Sequence, residues 1–213
     1  MPFFFTNKIL AQAAPKIIAA AINPPTKEYL NHLDNLYDNG VKTGNYAPLY
    51  KAFTNEESPE NEFLWRRARA FRLYAANNMS NNDQDFEVKR KLLEIAHDQA
   101  KHSVERDPNN FNSHKWFAIT LSDLSAEQGT KASLLASPLM REHFEKAIQL
   151  NPTDPSTLHA LGLWHFSFAN LGYFKRKAAG AIFAKVPESS YEEALAYFEK
   201  AEEVSPGYLS TNW

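Results

Sequence analysis

The sequence predicts an all-α fold in which antiparallel helical hairpins repeat along the chain. One set of apolar, small and aromatic residues occurs twice in similar order, and a proline closes the set both times. Proline biases the residue before it away from helical geometry, so it marks the end of a helix. The first set is His114, Phe117, Ala118, Leu121, Met140, Phe144 and Pro152, and the second is Leu158, Leu161, Gly162, His165, Ala194, Phe198 and Pro206.

Both sets follow the tetratricopeptide pattern W-x2-L-G-x2-Y, then A-x3-F, then P. The pattern predicts that small residues lie where two helices approach closely and that Phe144 and Phe198 fill the space beside them. A hairpin buries only part of its apolar face, so neighbouring hairpins must stack. The alternative is a chance match between two amphipathic helices, but two matched pairs with proline at the same offset favour a repeat.

The two units exceed the 34-residue period of the pattern by about 10 and about 20 residues. We expect the excess between the paired helices, at 125–138 in one unit and at 169–190 in the other, either as extended first helices or as elaborated loops. The predicted class is therefore a tetratricopeptide-like helical-hairpin solenoid with extended inter-helix insertions.

Residues 26–213 are assigned to a single helical repeat domain. An apolar periodicity with a turn at Gly40 and Gly44 predicts a degenerate hairpin that caps the repeats. In the first full repeat, Arg67 stands where leucine is usual. The predicted parts are the degenerate hairpin 26–57, repeats at about 62–108, 109–152 and 153–206, and the start of a truncated fourth repeat at 207–213.

The N-terminal arm, residues 1–25, differs in composition from the rest of the chain. It has no acidic residue and is rich in alanine and isoleucine, and Pro15 interrupts its apolar run. A secretory signal needs an unbroken run after a charged segment, and a mitochondrial transit segment needs arginine and serine. We interpret the arm as an amphipathic segment that is docked or frayed, with targeting or membrane contact, including mitochondrial association, as the alternative.

Composition and motifs limit the possible functions. The formal net charge of −2 argues against a general nucleic-acid binder. The absence of cysteine removes disulfides, thiolate metal sites and cysteine nucleophiles. The sequence has no HExxH, no G-x-S-x-G and no glycine-rich phosphate loop. It also has no window of about 20 apolar residues. We therefore expect no enzyme activity, no metal, no cofactor and no transmembrane segment.

Two basic clusters are the main candidates for binding. Arg66, Arg69 and Arg72 are spaced to share one helical face, and Lys175, Arg176 and Lys177 lie in the insertion of the third unit. Such clusters would attract the acidic surface of tubulin through a salt-sensitive interaction. The alternative is that each cluster is a solvated face, the first one neutralised by the glutamates at 56–62.

The first helices of tetratricopeptide hairpins line a groove, and the assigned register places cationic side chains there. Such a groove would accept an acidic peptide or a phosphate head group. Aromatic residues are also dense in the second and third units, where they predict core packing or, alternatively, an apolar ligand cavity. The predicted groove residues are Trp65, Arg69, Arg72, Lys115 and His159.

Five blocks of the sequence resemble the regulator of microtubule dynamics family. They are LWRRARA (64–70), HKWFAITLSD (114–123), REHFEKAIQLNPTD (141–154), HALGLWHFSFA (159–169) and YEEALAYFEKAEEVSPGY (191–208). The resemblance implies a non-enzymatic helical-repeat protein that associates with microtubules and the spindle and affects chromosome segregation. Some relatives act at mitochondria or organelle contacts, where this kind of domain is linked to phospholipid binding. The predicted function is thus a microtubule-associated scaffold, and the alternative is a phospholipid-binding module.

Overall fold

The computed structural model describes residues 25–54, 58–79, 83–172, 177, 180 and 187–211. Every regular element within these ranges is an α-helix. The predicted all-α class, built from tetratricopeptide-like hairpins, is confirmed. The chain divides into two compact units, one ending at Pro108 and the other beginning at Asn109. The single-domain assignment of 26–213 stays a prediction, and nearly all of the predicted N-terminal arm lies outside the described residues.

The first unit contains four described helices. The Thr26 hydroxyl accepts a hydrogen bond from the backbone of Tyr29 and caps the first helix. Gly44 ends that helix with a φ of 71°, which is left-handed geometry that suits glycine. Gly40 does not form the turn, contrary to the sequence prediction, but lies inside the helix with the Tyr46 ring against it. The helices are α1 (Lys27–Thr43), α2 (Ala47–Thr54), α3 (Asn61–Asn78) and α4 (Asp83–Arg106).

Helices α3 and α4 form the hairpin of the first full repeat. Ala68 and Phe71, which occupy two of the repeat positions, are both fully buried. Arg67 is buried as well, with its guanidinium 5.2 Å from the centre of the Phe71 ring. The burial of this arginine explains how a charged residue fills a position that usually holds leucine, because its stem packs in the core while its head lies on an aromatic face.

The named helices of the second unit, within the residues that the structure describes, form two hairpins and a short helix after them. Asn110, Asp154 and Ser190 each accept a backbone hydrogen bond at the start of a helix, and Ser190 forms a complete capping box with Glu193. The helices are α5 (Phe111–Glu127), α6 (Thr130–Leu150), α7 (Pro155–Ala169), α8 (Tyr191–Val204) and α9 (Tyr208–Thr211).

The extra residues of the second repeat, at 125–138, take the helical form of the two predicted alternatives and do not form an elaborated loop. They lengthen the helices, because α5 continues to Glu127 and α6 already begins at Thr130. Pro138 therefore lies inside α6. A proline cannot donate to the carbonyl four residues earlier, and here the Ser137 hydroxyl donates to that Leu134 carbonyl at 2.8 Å instead. This hydrogen bond explains why Pro138, which was expected between the paired helices, is tolerated within a helix.

The core of the second unit joins its two hairpins. Trp164 of α7 donates its indole N–H to the backbone carbonyl of Ser137 in α6 at 3.0 Å. In the α7–α8 hairpin, a Cβ added to Gly162 would lie 2.6 Å from the Phe198 ring. This contact places a small residue against an aromatic one, as the repeat pattern predicts. The buried cluster consists of Ala118, Met140, Phe144, Leu161, Trp164 and Phe168.

Candidate functional site

In the first unit, Arg66 and Arg69 of α3 converge on one carboxylate, that of Asp34 in α1. Arg66 approaches Asp34 side-on, with its Nε 3.0 Å from Oδ1 and its Nη2 2.7 Å from Oδ2. Arg69 donates from Nη2 to Oδ1 at 2.7 Å. Arg66 also binds the Glu62 carboxylate at 2.6 Å. The paired hydrogen bonds of Arg66 hold the guanidinium in one orientation, as a lysine could not.

Aromatic rings complete the surroundings of both guanidinium groups. The Arg66 guanidinium lies 4.1 Å from the centre of the Trp65 ring, and that of Arg69 lies 3.9 Å from the centre of the Tyr37 ring. The two arginine side chains are only 11% and 8% exposed. Stacking on a ring stabilises a cation that has lost part of its hydration shell. We call Asp34, Glu62, Arg66 and Arg69 the arginine–carboxylate cluster.

The pKa values in this cluster reflect burial and pairing together. Burial alone would raise the pKa of Asp34, but hydrogen bonds from Arg66 and Arg69 outweigh it and hold that pKa below its usual value. Burial lowers the pKa of Arg69, and the bond to Asp34 only partly offsets this. For Arg66, burial acts in the same direction, but Asp34 and Glu62 together raise its pKa. Two carboxylates therefore balance two guanidinium charges.

The predicted face of Arg66, Arg69 and Arg72 is thus not an exposed basic surface. Arg66 and Arg69 point into the unit and are neutralised, mainly by Asp34 rather than by the glutamates at 56–62, although Glu62 takes part. Arg72 is half-buried. Trp65, assigned to the groove, is 5% exposed. A polyanion could reach the two buried arginines only by displacing Asp34.

In the second unit, Lys115 and His159 also lie in packed surroundings. The Lys115 ammonium is 3.1 Å from Oδ1 of Asp154, and both side chains are largely buried. His159 is half-buried, with its ring centre 5.5 Å from that of Phe198. Burial lowers the pKa of His159, so its neutral form is favoured. The predicted groove draws residues from both units, and its existence stays a prediction.

Asp154 has two functions at the start of α7. Its Oδ2 accepts from the Thr157 backbone at 2.9 Å and from the Ser156 hydroxyl at 2.8 Å, while Oδ1 accepts from Lys115. Burial would raise the pKa of Asp154, but the Lys115 charge and the hydrogen bonds lower it overall. One carboxylate therefore caps α7 and ties it to α5.

The second basic cluster is described at one position only. Lys177 is exposed and helical. Lys175 and Arg176 lie outside the described residues, so the cluster's geometry and its role stay predictions. Of the aromatic residues of this unit, Trp116, Phe117, Trp164 and Phe168 are buried in the core, whereas Phe166 is 43% exposed.

Sequence reasoning missed two of the three carboxylates that bind the cationic side chains, Asp34 and Asp154, whereas Glu62 lies in the glutamate run that it did name. Asp154 carried a recognisable pattern, because an aspartate directly before a proline is typical of a helix start. Asp34 carried none. It shares α1 with Asp38, and no spacing in the helix distinguishes the aspartate that meets α3 from the one that faces solvent.

The described residues contain neither a membrane-spanning helix nor a metal-binding group of three side chains. None of their helices is both long and apolar enough to cross a bilayer. Within the same residues, no three histidine, aspartate or glutamate side chains come together as a group that could hold a metal ion.

Comparison with known proteins places the chain in a family. The family model described as "Regulator of microtubule dynamics protein 1-3" matches residues 29–213. "Regulator of microtubule dynamics protein 1" of Mus musculus is 38% identical over 209 residues, which cover 98% of this chain and 65% of that protein. The chain belongs to the regulator of microtubule dynamics family. The resemblance found in the sequence blocks is thereby confirmed.

Other members of the regulator of microtubule dynamics family match over shorter regions. "Regulator of microtubule dynamics protein 3" of Xenopus laevis is 35% identical over 147 residues, which cover 69% of this chain and 31% of that protein. The chain spans about 65% of the mouse protein 1 and 63% of the Pongo abelii protein 1. Among solved structures, "Crystal structure of MamA" matches 86% of this chain and 88% of that one at 16% identity and a TM-score of 0.38.

Proposed function

We propose that this chain is a microtubule-associated interaction protein that influences microtubule dynamics without catalysing a reaction. The observation that carries the proposal is family membership, since relatives at 38% and 35% identity are named regulators of microtubule dynamics. Its place of action would be the cytoskeleton and the spindle, with an effect on chromosome segregation. Acidic peptide segments, such as those on the tubulin surface, are the proposed binding partner.

The basic cluster at Lys175, Arg176 and Lys177 is the better candidate for tubulin contact. The arginine–carboxylate cluster has its charges balanced internally, and its two arginines are largely buried. Lys177 is exposed, so its charge can attract an incoming acidic partner. Attraction between such a cluster and an acidic surface weakens as ionic strength rises.

Co-sedimentation with stabilised microtubules at low and high salt tests this function. We expect the full chain to pellet with microtubules at low salt and to be released at high salt. The triple variant Lys175→Glu, Arg176→Glu and Lys177→Glu should lose most of the bound fraction.

The control carries the same change in net charge at scattered positions. Lys27, Lys42 and Lys51 are exposed on α1 and α2, and their replacement by glutamate should leave most of the binding intact. If both triple variants lose binding equally, the cluster is not the contact. If the unmodified chain does not pellet at low salt, the proposed function is wrong.

The alternative, phospholipid binding at mitochondria or organelle contacts, requires a continuous apolar cavity. A cleft of about 370 Å³ in the first unit is lined by Pro59, Leu64, His102, Glu105 and Arg106. Three of these five side chains are ionisable, so this cleft does not favour a lipid tail. Extraction of the purified chain for bound lipid would distinguish the two functions.

A further inference from the structure

Two histidines of the α5–α6 hairpin face each other within the second unit. His114 lies in the first turn of α5 and is 7% exposed, and His143 of α6 is half-buried. Their Nδ1 atoms are 3.0 Å apart, although the residues are 29 positions apart in the chain. The packing of the two helices therefore brings these imidazole rings together. We call His114 and His143 the histidine pair.

The surrounding helices hold both rings in place. The His143 ring stacks on Phe117 of α5, with ring centres 4.1 Å apart and planes 25° apart. Phe144 follows His143 directly, and Ala118 lies one turn after His114, and both of these neighbours are buried in the core cluster of the unit. The histidine pair is thus fixed by the hairpin and not by a loop. Side chains supported in this way are preorganised for binding a ligand.

The distance between the two nitrogens suits the coordination of one ion. Zinc binds imidazole nitrogen at about 2.0–2.1 Å, so two histidines at a tetrahedral angle have their nitrogens roughly 3.3 Å apart. At the right angle of a square-planar ion, the same bonds place the nitrogens roughly 2.9 Å apart. The 3.0 Å of the histidine pair lies between these values. A linear ion would need about 4 Å, so the hairpin does not fit that geometry.

The directions of the rings agree with a shared ion as well. Two imidazoles that bind one ion at these two angles have ring centres roughly 4.5 to 5.2 Å apart. The centres of the His114 and His143 rings are 4.9 Å apart. The same nitrogens are within hydrogen-bonding distance, so one ring donates to the other when no ion is bound. Either way, the two Nδ1 atoms point toward each other.

Imidazole ligands select the class of ion. Zinc, copper and nickel suit imidazole nitrogen, whereas calcium and magnesium take oxygen ligands. Among the described residues, the pair does not extend to a third histidine, aspartate or glutamate ligand, so water would supply the other positions. The expectation of no metal depended on the absence of cysteine and of HExxH, and a site made of two imidazoles needs neither.

We propose that the histidine pair binds one divalent transition-metal ion of the zinc and copper(II) class through its two Nδ1 atoms. Each ring then carries its proton on Nε2. The ion joins α5 to α6 and stabilises the second unit, because a ligand that binds only the folded state raises its stability. This metal site is independent of the proposed microtubule function, so either proposal can fail without the other.

Calorimetric titration of the full, untagged chain with zinc chloride tests the proposal. We expect one zinc ion to bind per chain, and copper(II) to bind more tightly than zinc, as it does at nitrogen sites in general. Calcium and magnesium should not bind at this site. In NMR spectra, zinc should shift the imidazole signals of His114 and His143 and leave those of the exposed His32 and His102 unchanged.

Variants separate the histidine pair from the other histidines. His114→Gln and His143→Gln should each weaken zinc binding at least about tenfold, since even the loss of an outer-shell partner has an effect of this size. The matched control is the double variant His32→Gln, His102→Gln, which removes two exposed histidines and should bind zinc as the unmodified chain does.

Thermal unfolding provides a second measurement. Zinc should raise the unfolding temperature of the unmodified chain and of the control, but not that of His143→Gln. Unfolding in the presence of a chelator checks that each variant is folded. If the buried His114 does not tolerate glutamine, the half-buried His143 decides the test.

The proposal fails if the unmodified chain does not bind zinc, or if His143→Gln binds zinc as tightly as the unmodified chain. It also fails if the control loses as much binding as His143→Gln, because exposed histidines would then hold the ion. Binding of calcium as tight as that of zinc would likewise show that imidazole nitrogens are not the ligands.

Discussion

In each unit, one aspartate connects the first helices of two consecutive hairpins, but the two connections differ in chemistry. In the first unit, Asp34 of α1 receives two guanidinium groups from α3. In the second, Asp154 at the start of α7 receives one ammonium group from Lys115 of α5. The first junction has paired, oriented hydrogen bonds, and the second has a single contact beside a helix cap.

The two junctions differ in how many cations one carboxylate balances. Removing Asp34 would leave two buried arginines without their shared counter-ion, which is costly. Asp154 balances one buried ammonium group and also caps α7, and asparagine caps a helix nearly as well as aspartate does. We therefore expect loss of the negative charge to cost more at the first junction than at the second.

Loss of the shared carboxylate should give the largest effect. We expect Asp34→Ala to lower the free energy of unfolding by about 3 kcal/mol, because it leaves two largely buried guanidinium groups without their shared carboxylate. Asp38→Ala is the matched control, since Asp38 is an exposed aspartate one turn further along α1. Urea denaturation of the full chain measures both, and equal losses would show that the Asp34 bonds do not stabilise the junction.

Crowding a close contact in the second unit should give the next largest loss of stability. Gly162→Ala would bring a Cβ to 2.6 Å from the Phe198 ring, and overpacking of this kind costs about 2 kcal/mol. Gly172→Ala is the control, because a Cβ there meets nothing within 4 Å. The double variant Gly162→Ala, Phe198→Leu should recover part of the loss in thermal unfolding. A neutral Gly162→Ala would mean that α7 and α8 can separate without cost.

Two substitutions of Asp154 separate its cap from its charge. Asp154→Asn keeps an acceptor for the Thr157 backbone and for Lys115, whereas Asp154→Ala removes both. We expect alanine to be less stable than asparagine by about 1 kcal/mol, the usual value of a helix cap. Chemical denaturation of the two variants side by side measures the difference. Equal stabilities would show that the cap adds nothing at this junction.

The smallest effect concerns pH. Burial lowers the pKa of His165, although Glu193 opposes this. An unfolded histidine titrates near about pH 6.5, so the folded state gains protons at lower pH than the unfolded state does. The stability from this histidine is fully present above that pH and is lost as pH falls through the folded value.

His165→Gln should therefore flatten the decline in unfolding free energy between pH 7 and pH 5. The exposed His32 is the control, and His32→Gln should leave the slope as it is. The slope should not vanish with His165→Gln, because burial also lowers the pKa values of His97 and His159. A slope unaffected by His165→Gln would mean that this histidine titrates alike in both states.

By itself, the sequence determined the periodic features of this protein. The hairpins were predicted from small residues at Ala118 and Gly162, aromatic residues at Phe144 and Phe198, and prolines at fixed offsets. Helix α8 begins and ends where the pattern predicted. Such features are local, since they follow from the spacing of side chains on one helix and from the backbone geometry of proline and glycine. The family resemblance depended on the same blocks.

Only the tertiary structure decided which charged side chains are exposed to a binding partner and which are paired within the protein. Arg66, Arg69 and Arg72 lie on one face of α3 in any helical model, but helical spacing does not say whether that face meets solvent or a carboxylate. Asp34 is more than 30 residues away in the chain and meets the arginines only because α1 packs on α3. Likewise, Pro138 became an interior helix residue because Ser137 supplies a donor to the Leu134 carbonyl. Pairing between distant side chains depends on how helices pack, and single-helix periodicity carries no information about that packing.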